Sequence, residues 1–134
     1  MIPHLTCMAL AAVLNDLPPR ALPAIHAVEG GAPGSIHWNA NGSADLGVMQ
    51  INTLWLPALA GALGQPEAAI RDRLVTDSCF NIVVAGMILR LYLDEERGDL
   101  WRAIGNYHSH TPSHHQAYRS KVAAAARKLG IAIE

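Results

Sequence analysis

The sequence predicts a mainly α-helical domain that carries one short β-hairpin. Three observations lead there. Hydrophobic residues make up 51% of the chain and aromatic ones only 5%, and alanine and leucine dominate, which favours helix. Apolar residues recur at helical spacing, as in Phe80, Val83, Val84, Met87 and Leu91. Asn39-Ala40-Asn41-Gly42-Ser43 is turn chemistry, because Asn and Gly tolerate positive φ and the Asn and Ser side chains bond to nearby backbone. The 134 residues fit one compact domain, residues 1–134.

A first helix is expected over residues 6–15, stopped by Leu17-Pro18-Pro19. The next starts at Pro19 or Arg20, although Pro23 sits deep for a first turn and allows a later start. Its face carries Leu22, Ile25 and Glu29, with Ala21, Ala24 and Val28 beside it, so it reads as buried nearly all round. Gly30-Gly31 stops it, since glycine accepts the left-handed conformation at a helix end. The hairpin follows, then a helix over residues 52–62 with Pro57 near its start, in which Trp55 and Leu56 read as core. Pro66 opens a helix to residue 75. Asp77 or Ser78 caps the longest helix, residues 78–96, whose Ala85-Gly86 pair lets another helix come close. Arg97-Gly98-Asp99 ends that helix and caps residues 100–107. Pro112 or Ser113 starts the last helix, with Tyr118, Val122, Ala125 and Leu129 as core stripe and a solvated basic face of Arg119, Lys121, Arg127 and Lys128.

Composition excludes several classes. The net charge of −1 gives no sign of nucleic-acid binding. The longest apolar run, residues 82–93, is broken by Arg90 and falls short of the roughly 20 residues a membrane span needs. Residues 1–13 hold no Lys or Arg, and His4, Thr6 and Cys7 interrupt them, so they read poorly as a signal peptide. His108, His110, His114 and His115 surround Thr111-Pro112 without a metal-site spacing and with no cysteine close in sequence, so neither metal nor cofactor is expected. Cys7 and Cys79 are either two buried thiols or one disulfide.

The chemistry concentrates on Glu29 and Asp45. A carboxyl ending an apolar helix is partly desolvated and meets the negative end of the helix dipole; both raise its pKa. With room left by two glycines, such an acid can donate a proton to a leaving oxygen. Asp45 follows the turn, and two carboxylates facing one cleft are the usual equipment for cutting a glycosidic bond.

Glu29-Gly30, the run Asn39 to Asn52 ending Gly47-Val48-Met49-Gln50-Ile51-Asn52, and Trp55 resemble the lysozyme-like lytic transglycosylase domain. Asn81-Ile82-Val83-Val84-Ala85-Gly86 and Ala103-Ile104-Gly105-Asn106-Tyr107 extend the likeness. It is nearest to the small periplasmic members that accompany secretion, conjugation and pilus systems. The resemblance implies a helical lysozyme-like domain whose hairpin lines the cleft, and cleavage of peptidoglycan by Glu29 as acid, with Asp45 as second carboxylate. It implies substrate contacts at Asn39, Asn41, Ser43, Met49, Gln50, Asn52, Tyr107 and His108, with the Tyr107 hydroxyl pointing at Glu29. It also implies a Cys7–Cys79 bridge, since Asp77-Ser78-Cys79-Phe80-Asn81 matches the family context. The implied partners are glycan strands and a secretion or conjugation apparatus, and the implied place is the periplasm, the export signal being absent from this sequence. Two positions depart from the family: Gly30 stands where serine is frequent, and His108 where asparagine is usual. The residues leave open whether the sugar's own hydroxyl or water receives the cleaved bond, and a non-catalytic wall-binding protein on the same fold is the competing class.

Overall fold

The computed structural model describes residues 3–130. Helices account for most of it: α1 (Leu5–Leu14), α2 (Ala21–Glu29), α3 (Leu56–Leu63), α4 (Glu67–Thr76), α5 (Ser78–Glu95), α6 (Leu100–His108) and α7 (Pro112–Leu129). Three short strands, β1 (Ile36–Trp38), β2 (Ala44–Leu46) and β3 (Ile51–Asn52), form one antiparallel sheet in that order. The expected mainly α architecture with a small β element is what the chain adopts.

The core gathers around α5, which packs against α1, α2, α4 and α6 and touches β3. Its buried residues include Ile82, Val84, Ala85, Ile88 and Leu89, whereas Leu91 is half exposed. The stripe therefore runs through Ile82, Ala85 and Leu89 rather than towards Leu91. Ala85-Gly86 does admit a helix: a Cβ on Gly86 would meet the Asn15 side chain just past α1. Asp77 caps α5, its carboxylate accepting from Phe80 N at 3.0 Å. At 18 residues α5 is matched in length by α7. A disulfide joins Cys7 of α1 to Cys79 of α5 and closes a loop with a sequence separation of 72.

Two expectations shift. The expected helix at residues 52–62 begins instead as strand β3 and a 3-10 turn, Thr53–Trp55, before α3. On α7 the buried set is Tyr118, Val122 and Ala126, with Leu129 exposed. Spacing of four along the helix keeps one ridge against α2 and α6.

The sheet register aligns a row of side chains. His37 pairs with Asp45, and Asp45 with Asn52, so all three share one face. Trp38 and Ile36 pair with Ala44 and Leu46 on the opposite face, where Arg71 of α4 lies 5.9 Å over the Trp38 ring. No single helix among the described residues is long and apolar enough to cross a membrane.

Candidate active site

The site is built from the end of α2. Ala21 to Ile25 are buried on every side, and the helix surfaces over its last turn, so Glu29 is only partly covered. Gly30 takes the left-handed C-cap conformation at φ 65° and returns its N–H to His26 O at 2.8 Å. A serine there would be strained, because residues with a side chain rarely adopt this conformation. Gly31 is needed for space: a Cβ would overlap the carbonyl oxygens of Gly47 and Val48. The acid-bearing helix end is thus pressed onto the turn after β2.

That turn is held from three sides. The Asn81 side chain, fully buried on α5, donates to Leu46 O at 2.8 Å and Leu74 O at 2.9 Å and accepts from Met49 N at 2.9 Å. Tyr107 donates to Met49 O at 3.0 Å, and Gly47 N donates to Ser35 O at 2.9 Å. Gln50 adopts φ 55°, uncommon for a residue with a side chain. Its amide folds back onto Gly47 O at 3.0 Å. Such local strain persists only where the surroundings over-determine it.

A cleft of about 370 Å³ opens between α2, the sheet and α6. Glu29 and Asp45 both line it, as do Asn39, Gln50, Asn52, Tyr107 and His108. Burial raises the Glu29 pKa above its ordinary value, a bond from Tyr118 pulls it down, and Asp45 raises it again. Asp45 accepts from Asn52 Nδ2 at 2.9 Å and has His37 Nδ1 at 3.9 Å.

Three of the expected substrate contacts lie elsewhere. Met49 is fully buried, with its carbonyl taken by Tyr107. Asn41 accepts from the backbone and hydroxyl of Ser43 at 3.0 and 2.6 Å, an Asx turn that shapes the hairpin rather than the cleft. Ser43 is buried and bonded to Asn39 and Asn52. The tyrosine assignment also changes. Tyr107 does not reach Glu29; Tyr118 does, donating to Oε2 at 2.7 Å from the buried ridge of α7. Helical spacing marked Tyr118 as core, and a phenol on a core ridge always has a hydroxyl to satisfy. That was the available signal.

Trp55, read as core, stands half-buried at the cleft wall, edge-on to Tyr92. Asn106, also missed, is buried at the cleft and donates to Glu95 and Glu96 at 3.2 and 2.7 Å. The histidines disperse: His110 meets Glu95 at 2.6 Å, His115 packs on Gly105, and His108 stacks on Tyr118. Among the described residues no group of His, Cys, Asp and Glu is arranged to hold a metal ion.

No family model matches the chain. It is 33% identical over 95 residues to the proteins named Invasion protein IagB of Salmonella typhimurium and of Salmonella typhi, covering 68% of this chain and 53% of each relative. The chain thus spans about half the length of the curated relatives it matches.

Proposed function

We propose that this chain is a lysozyme-like peptidoglycan lytic transglycosylase that cuts the MurNAc-β-1,4-GlcNAc bond and leaves 1,6-anhydro-MurNAc ends. The observation that carries the reading is Glu29: a partly buried carboxyl with a raised pKa, held by Tyr118, in a cleft that Asp45 also lines. In this mechanism protonated Glu29 gives its proton to the linking oxygen as the C1–O bond breaks. The resulting carboxylate takes the proton of the muramoyl 6-hydroxyl, whose oxygen bonds to C1. Proton and charge balance without a second catalytic carboxylate, and the Tyr118 hydroxyl stabilises the transient anion.

A second reading has its own support. Asp45 lines the cleft and is held by Asn52. This suits a nucleophile or charge stabiliser in a hydrolase that passes the bond to water. The disulfide supports work in an oxidising compartment such as the periplasm. On this reading the chain opens the wall locally beside a secretion, conjugation or pilus apparatus, the setting that the sequence resemblance implies.

Muropeptide analysis of digested peptidoglycan tests the proposal. Wild type is expected to release anhydro ends, Glu29→Gln almost no product, and Asp45→Asn substantially more than Glu29→Gln. Reducing ends, or equal losses in the two variants, move the assignment to the hydrolase. Wild type without products leaves a non-catalytic wall-binding protein.

A further inference from the structure

The contact between the acid and Tyr118 spans 89 positions of sequence, and something must keep the phenol in place as substrate enters and leaves. The Tyr118 ring has the His108 ring lying on it, with centroids 4.9 Å apart and planes only 10° from parallel. His108 also lines the cleft. The approach of the two helices is set by Gly105, one turn earlier on α6, whose missing Cβ is replaced by the His115 ring of α7. The stack is therefore a consequence of how α6 and α7 dock. It occurs at a position where the family resemblance leads one to expect asparagine, which offers no ring.

We infer that His108 is a positioning residue for the acid: its ring, flat on Tyr118, fixes the phenol so that its hydroxyl stays on Glu29. The inference rests on the reading of Glu29 as the proton donor. The surroundings suit a neutral ring in this place. Burial lowers the His108 pKa, and His114 and Lys121 of α7 push the same way against a smaller opposing effect of Asp45 on β2. From α5, Tyr92 and Glu95 are engaged by His110 rather than His108. Two neutral planar rings in contact are worth more than their area alone, since offset stacking adds a directional preference.

The experiment compares His108→Phe, which keeps a flat ring, with His108→Leu, which keeps the volume but cannot stack, each in the wild-type and Tyr118→Phe backgrounds. On soluble peptidoglycan fragments, His108→Leu is expected to lower kcat about fivefold or more with KM changed less than twofold. His108→Phe should hold kcat within about threefold of wild type. In the Tyr118→Phe background His108→Leu should cost nothing further, because the contact it supports is gone. A second readout does not depend on turnover: the Glu29 carboxyl is titrated by carbon-13 NMR. The Tyr118 bond lowers the Glu29 pKa, so the midpoint should rise in His108→Leu and in Tyr118→Phe and stay put in His108→Phe. A wild-type midpoint in His108→Leu, or a full further loss in the double variant, overturns the assignment. A wild type that cleaves no wall overturns the reading of the cleft instead, and the titration still decides the role of His108.

Discussion

At the scale of single residues, the proposed chemistry depends on keeping one proton on Glu29. Its folded pKa is raised above the ordinary 4.5, chiefly by burial, so wall cleavage is expected to fall as pH rises through that raised value. Tyr118→Phe removes a bond that favours the ionised form. Its alkaline limb is expected to move to higher pH while the maximum rate drops on the order of tenfold, as for a lost positioning contact. A pH–rate profile of both proteins checks this. The same shift acts on stability. Below pH 4.5 the carboxyl is protonated folded and unfolded, and Glu29→Gln should match wild type. As pH rises through the folded pKa, wild type loses stability by ionising a covered group, and the glutamine does not. Denaturant titrations at acidic and neutral pH should therefore show Glu29→Gln gaining on wild type only at the higher pH.

At the scale of elements, the turn between β2 and β3 sets the cleft wall, and Asn81 is its anchor. Its amide satisfies three buried backbone groups on two different segments. Asn81→Ala leaves them without partners and is expected to cost on the order of 3 kcal/mol, read as a shift of the chemical denaturation midpoint, with a loss of wall cleavage alongside. Much at this scale was legible in the sequence. The Asp77 cap, the glycine stop after Glu29 and the Asn-Gly-Ser turn are local rules acting over a few residues. What local rules cannot carry is who meets whom across the core. Tyr107 and Tyr118 both look like half-polar core residues, and only the docking of α7 on α2 decides which one faces the acid. Likewise the run from Gly47 to Ile51 gave no periodic sign of β3, because two residues are too short for alternation to register. Leu91 matched a helical stripe and is still exposed, since periodicity finds a face without knowing where its neighbour stops.

At the scale of the whole molecule, the bridge between α1 and α5 ties the first helix to the central one. Closing a loop of 72 positions restricts the unfolded chain and is worth about 4 kcal/mol on the entropy model. Replacing Cys7 and Cys79 together by serine should lower the denaturation free energy by about that amount, and reductant should then have no further effect on the melting curve.

Tyr118 lies far along the chain from the acid it holds. As a ribosome delivers the polypeptide from its beginning, residue 29 is made early and its phenol partner late. Until α7 emerges and seats itself, the carboxyl lacks both its clamp and part of its cover. A chain cut short before the last helix therefore lacks the arrangement of acid and phenol on which the proposed chemistry depends.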